Sequence, residues 1–145
     1  MEAGSRAITL SLMAETTPLY QIRLAVRSEL EDIAAGDSVL VAASGGADSS
    51  ALAAALLLEC RSKSIKVIAL IIDHGLQKNS ADVTHETKRT LTKIGYENIE
   101  IRRVSVEITD GLEASARRAR YQALSDVANS HKAVAIFLGH TRDDQ

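Results

Sequence analysis

Ser38-Val39-Leu40-Val41-Ala42-Ala43-Ser44-Gly45-Gly46-Ala47-Asp48-Ser49 is the stretch that decides the fold. Its first half is an apolar run without polar alternation, the pattern of a strand buried on both faces of a parallel sheet. Its second half turns through two glycines into the Ala/Leu-rich stretch 50–59. Residues 48–60 are apolar nearly all round and read as a deeply packed helix. A strand that turns through glycines into a helix N-terminus makes an anion site. The glycines allow φ > 0 and let an oxyanion come close. The first helical amides have no intrahelical acceptor and point at that anion. Ser44 and Ser49 add hydroxyls, and Asp48 adds a carboxylate suited to Mg²⁺. The plain alternative is a small-residue turn of the kind α/β folds use everywhere.

Outward from this stretch, strand and helix patterns alternate. Residues 18–35 read as a helix, with Thr17 as N-cap, Pro18 at the first position, Ile22, Val26, Leu30 and Ile33 at helical spacing, and Gly36 ending it. The apolar runs 65–72 and 133–138 read as buried strands. A polar helix is expected over 80–94, and a polar strand over 98–108, which Arg102-Arg103 suit to a sheet edge. A last helix spans 112–128, with Ala116, Ala119, Ala123 and Val127 on its packed face. The alternation predicts an α/β fold: a doubly wound, mainly parallel sheet with helices on both faces. Ligands bind such sheets at the carboxyl ends of the strands.

Composition bounds the rest. The 145 residues, 46% of them hydrophobic and with one proline, make one compact domain, placed at 18–145. Residues 1–17 are expected to be a disordered extension, with Met13 as an alternative start. The chain stops in a loop directly after a buried strand, so the domain is expected to be truncated at its C-terminus. A net charge of −2 gives no global basic field, and 3% aromatic content gives no stacking platform for single-stranded nucleic acid. Cys60 is the single cysteine, so there is no internal disulfide, and a reducing cytoplasm fits. His74, His85, His131 and His140 lack zinc-ligand spacing, and no stretch is long enough to span a bilayer.

Three further motifs carry polar chemistry. Asp73-His74-Gly75-Leu76 follows the second buried strand and reaches the crevice beside the glycine turn, where backbone and imidazole would frame a nucleoside; it is also simply a good turn. In Glu113-Ala114-Ser115-Ala116-Arg117-Arg118-Ala119-Arg120-Tyr121, Arg117 and Tyr121 lie one helical turn apart with Arg120 beside them. Guanidiniums there suit phosphate oxygens, and the alternative is an exposed basic face. Gly139-His140-Thr141-Arg142-Asp143-Asp144-Gln145 places an imidazole and two carboxylates after the last strand. These suit a second Mg²⁺, a cationic nucleophile or proton transfer, unless Asp143 or Asp144 merely caps the next helix.

Chemistry narrows these readings. There is no G-x-x-x-x-G-K-[ST], so the lysine of Walker-type ATPases is missing, and no G-x-G-x-x-G. S-G-G-A-D-S at 44–49 resembles the PP-loop of the ATP pyrophosphatases, which split ATP between the α- and β-phosphates. Together with D-H-G-L at 73–76, E-x-x-A-R-x-x-R-Y at 113–121 and G-H-T-R-D-D-Q at 139–145, it resembles the tRNA(Ile)-lysidine synthetase family from about residue 20 onward.

That resemblance implies an adenine nucleotide alpha hydrolase-like fold and a ligase. ATP adenylates the C2 carbonyl oxygen of the wobble cytidine of tRNA(Ile), and the amine of L-lysine then displaces AMP. It implies that Ser44, Gly45, Gly46, Ala47, Asp48 and Ser49 cradle the phosphates, with Asp73 and His74 near the nucleotide. Arg117 and Arg120 would stabilise charge around the α-phosphate, and His140, Asp143 and Asp144 would position ATP, metal or the amine. Asp48 and Asp144 would hold Mg²⁺. A homodimer is compatible with it, and a membrane is not required. Two rivals stand beside this reading: another PP-loop enzyme, such as a tRNA thiolase or an amide-forming synthetase, and a nucleotide-binding module that hydrolyses nothing. Cys60 without a cysteine partner disfavours the thiolase, and the carboxylates disfavour the passive module.

Overall fold

The computed structural model describes residues 5–11, 19–73, 75, 80–105 and 111–140. In chain order the elements are β1 (Arg6–Ser11), α1 (Leu19–Glu29), β2 (Ser38–Ala43), α2 (Ala47–Lys63), β3 (Lys66–Asp73), α3 (Ser80–Ile94), β4 (Ile99–Arg103), α4 (Leu112–His131) and β5 (Ala133–His140). One five-stranded sheet has the order β1-β5-β2-β3-β4, with every neighbouring pair parallel. The doubly wound α/β fold expected from the alternation is the fold observed.

Topology explains the layers. From β1 to β2, β2 to β3 and β3 to β4 the chain moves in one direction across the sheet, and right-handed crossovers then put all three helices on one face. Ile22 and Val26 of α1, Leu52 and Leu56 of α2 and Leu91 of α3 pack there, against Val39, Val41, Val67, Ala69 and Phe137. From β4 to β5 the direction reverses, so α4 lies on the other face. Its Leu124, Val127 and Ala128 meet Leu40, Ile68, Leu70, Ile136 and Leu138. The strands therefore bury both faces, which is why their sequences show no polar alternation.

Most of the apolar residues of α2 are buried, including Leu52, Ala53, Ala55, Leu56, Leu57 and Cys60, whereas Ala51 and Ala54 are half-buried and Leu58 is exposed. Its one buried charge, Glu59, accepts hydrogen bonds from Arg23 at 2.8 Å and from Arg27 at 3.0 and 3.1 Å, which ties α2 to α1. Tyr96, just after α3, donates its hydroxyl to the Ala53 carbonyl at 2.7 Å and locks α2 from the other side. β4 is the edge strand that Arg102-Arg103 suggested.

Three expectations need correction. The first helix ends at Glu29, not residue 35; beyond it Leu30 and Ile33 make tighter turns, with Leu30 N–H bonding Arg27 O as well as Val26 O. On α4 the buried face is Ser115, Ala123, Leu124, Val127 and Ala128, while Ala116 and Ala119 are only half-buried. The expected disorder of residues 1–17 does not hold at Arg6–Ser11, which is a strand paired with β5 from Arg6↔Ala135 to Ser11↔His140. Ile8 joins the core, Arg6 pairs with Asp32 at 3.1 Å, and the Ser5 hydroxyl donates to the Ala133 carbonyl. This strand covers an edge of β5 that would otherwise be an open ladder. The Thr17–Pro18 cap lies outside the described residues.

Candidate nucleotide site

The strand order reverses between β2 and β5, and the crevice beyond their carboxyl ends is where open α/β sheets take ligands. The glycine turn opens there. Gly45 has φ +94°, a left-handed conformation that a side chain would strain. A β-carbon on Gly45 would also sit 2.7 Å from Thr87 Oγ1 of α3. Gly46 behaves differently from expectation. At φ −79° and ψ 167° it is extended and serves as the N-cap of α2. A β-carbon there would meet nothing nearer than Ser44 Oγ at 3.9 Å, so the space beside it is open. One glycine makes the bend, and the other leaves the approach open.

Among the described residues no side chain caps α2, so its first amides are left to an incoming acceptor. The Ser50 amide makes the first helical bond, to Gly46 O at 3.0 Å. Ser49 is buried and its Oγ accepts from the Ser44 amide at 2.9 Å, which closes the turn internally. Ser49 therefore shapes the loop, whereas Ser44 and Ala47 are exposed on it and Asp48 is half-buried in the first turn of the helix.

Beside the turn lies a cleft of about 300 Å³ on the α4 face of the sheet. Ala42, Ala43 and Ser44 line it from β2 and its turn, Leu70 and Ile72 from β3, Leu138 and Gly139 from β5, Ser49 from α2, and Arg120 from α4. Its floor is apolar and its rim polar, as pockets for flat, charged ligands are. Arg120 Nε is buried and has no hydrogen-bond partner among the described residues. A buried donor without an acceptor is costly and calls for an explanation. A phosphate oxygen in the cleft supplies one. The guanidinium carbons of Arg117 and Arg120 lie 5.5 and 5.3 Å from the centre of the Tyr121 ring.

The fold thus brings Ser44, Ser49 and Arg120 to the lining of one cleft, with Gly45, Gly46, Ala47 and Asp48 in the turn and helix start between the two serines and Arg117 one turn away on α4. Asp73 ends β3 on the same sheet edge, but its buried carboxylate accepts the Gly75 amide at 2.9 Å and serves the turn. It falls in register with Ala69 and Ile71, on the face opposite the cleft. The backbone of His140 ends β5 beside Ser11. His74, Asp143, Asp144 and the His140 side chain lie outside the described residues. Thr87 is the site neighbour that the sequence did not reveal, because its contact with Gly45 joins positions far apart in the chain.

An uncapped helix after a glycine bend, at the reversal of a doubly wound parallel sheet, defines a phosphate-binding α/β domain without a Walker lysine. Residues 17–145 match the PP-loop domain family, and the chain belongs to it. It is 44% identical over 128 residues to the tRNA(Ile)-lysidine synthase of Thermobifida fusca (strain YX), covering 88% of this chain and 40% of that protein. It is 47% identical over 107 residues to the enzyme of that name from Streptomyces coelicolor, covering 74% of this chain and 30% of the relative. With that of Rhodococcus jostii (strain RHA1) the identity is 41% over 134 residues, 92% of this chain and 39% of the other. The chain therefore spans two fifths or less of the length of these relatives.

Proposed function

We propose that this chain carries the ATP-binding part of a tRNA(Ile)-lysidine synthetase, joining L-lysine to the wobble cytidine of tRNA(Ile) in the cytoplasm. The observation that carries the reading is the uncapped N-terminus of α2 beside a cleft into which α4 brings an unpartnered, buried guanidinium nitrogen. The named relatives supply the substrate class. The absence of a helix long and apolar enough to cross a membrane, among the described residues, is compatible with it.

In this reading the amides of the α2 N-terminus and the exposed Ser44 hydroxyl hold the β- and γ-phosphates. Each bond to a charged oxygen contributes about 1.5–3 kcal/mol, so a few together suffice to hold the tail. The apolar floor of Ala42, Leu70, Ile72 and Leu138 takes the base. Arg120, with Arg117 behind it, meets the negative charge that grows at the α-phosphorus as pyrophosphate leaves. Asp73 acts only by shaping the turn that precedes His74, His74 borders the nucleotide, and His140, Asp143 and Asp144 position the reacting groups.

The Asp48 carboxylate fits Mg²⁺, whose contribution is to draw charge from the phosphate oxygens. Among the described residues no three His, Cys, Asp or Glu side chains converge, so phosphate oxygens, water and Asp144 would complete the shell. Catalysis then consists of orientation and charge stabilisation, without a covalent protein intermediate. The cytidine C2 oxygen attacks the α-phosphate, and the lysine amine displaces AMP.

Calorimetry with Mg·ATP, followed by measurement of AMP release with tRNA(Ile) and lysine, tests the reading. Micromolar binding of ATP and AMP formation that requires both lysine and tRNA are expected. AMP formation supported by ammonia or a sulfur donor, and indifferent to lysine, would overturn it.

A further inference from the structure

We propose that Tyr121 is a positioning residue: its ring holds Arg117 and Arg120 at the lip of the cleft, aimed at a phosphate oxyanion and still fully charged. The inference rests on the nucleotide reading above.

The two guanidinium carbons lie 5.5 and 5.3 Å from the ring centre, within the range in which an aromatic quadrupole attracts a cation. Neither arginine has a carboxylate partner among the described residues, although other arginines of this chain do. Arg6, Arg23, Arg27, Arg89 and Arg102 all pair with acids. A carboxylate would order a guanidinium equally well, but it would cancel its charge and compete with an incoming phosphate. A ring orders it and leaves every N–H free to donate. The Arg120 side chain already has its Nε buried without an acceptor, beside the residues that line the cleft. Tyr121 itself is 37% exposed, so core packing does not explain it. Sequence spacing fits the same role: positions 117, 120 and 121 share one helix face and the turn above it.

The chain has three tyrosines and no tryptophan, so tyrosine emission reports on the site. Inorganic pyrophosphate and Mg·ATP are titrated into the wild-type chain and into Tyr121→Phe and Tyr121→Leu, with thermal melting recorded alongside. Tyr121→Phe should bind pyrophosphate within about twofold of wild type, and Tyr121→Leu about five- to tenfold more weakly at an unchanged melting temperature. Wild-type emission should change on binding as the guanidiniums turn to the anion, and that change should vanish in Tyr121→Phe. Wild-type affinity in Tyr121→Leu would overturn this inference alone. Equal weakening in both variants would assign the effect to the hydroxyl and overturn it too. Failure of the wild-type chain to bind either probe would remove the nucleotide reading and this inference together.

Discussion

Thr87 of α3 stands against Gly45 of the phosphate turn, its Oγ1 2.7 Å from the place a β-carbon at position 45 would take. The hydroxyl donates to the Val83 carbonyl at 2.8 Å, and Thr87 is buried, so it has little freedom to withdraw. The turn is thus held from outside by the third helix as well as from inside by the Ser44–Ser49 bond. Such bracing suits a loop that must present its amides without rearranging when a ligand arrives.

Gly45→Ala places a side chain in a left-handed conformation and drives it into Thr87. The first effect costs about 1–2 kcal/mol, and overpacking adds about 1 kcal/mol or more. Urea unfolding should show a loss of about 2–3 kcal/mol. Adding Thr87→Ala should return about 1 kcal/mol, a coupling that a double-mutant cycle measures. Additive losses would mean that the two residues do not brace one another.

Arg120→Met separates binding from stability. The substitution removes a buried donor that lacks an acceptor, so stability should hold or rise by up to about 1 kcal/mol. Affinity for Mg·ATP should fall about tenfold, because a charge-assisted contact is lost. Melting and calorimetry on one sample decide it; a parallel loss of stability would make the arginine structural.

Glu59 sets an acid limit on the fold. The Arg27 hydrogen bond, opposed by burial and aided by Arg23, holds its carboxyl below the usual carboxylate range. A carboxylate lowered in the folded state stabilises above its unfolded pKa of about 4.3, and that stability is lost as pH falls through the folded value. Glu59→Gln should cost about 1–2 kcal/mol at neutral pH, less than a fully buried pair because both arginines keep contact with water. Its stability should also fall less steeply than wild type between about pH 5 and 3. An unaltered acid profile in Glu59→Gln would show that other carboxylates set the limit.

Deleting residues 1–12 should weaken the domain. It removes the ladder to β5, the buried Ile8 and the Arg6–Asp32 pair. Burial of one isoleucine contributes about 1.5–3 kcal/mol, so a loss of about 2 kcal/mol and self-association through the uncovered β5 edge are expected. Light scattering and urea unfolding read both effects, and a deletion that changes neither would make the segment dispensable.

Local signals made most of this fold legible. The apolar runs of β2, β3 and β5 and the glycine turn are each written within a few consecutive residues, and Arg102-Arg103 marked the edge position of β4. What sequence did not disclose depends on distant partners. Of residues 6–10, Ile8 and Leu10 turn inward, and Arg6–Ser11 is a strand because β5, far along the chain, offers it an edge. Two adjacent glycines look alike in a sequence, yet one bends the chain and the other keeps it extended. The glycine turn and the arginine helix were readable as candidate site components, but the isolation of the Arg120 Nε and the intrusion of Thr87 arise only when helices pack.

Among the described residues, three helices on one side of the sheet and a single helix on the other divide the molecule unequally. The larger core lies on the face of the sheet away from the cleft. The early turns of α4 carry the arginines, and there Ser115 is buried while Ala116, Ala119 and Arg120 are half-buried. An opening of those turns alone would cost less than unfolding the sheet. Under the proposed function such an opening would give a nucleotide a way in and out while the sheet stays whole, and faster amide exchange there than in the later turns of α4 would report it.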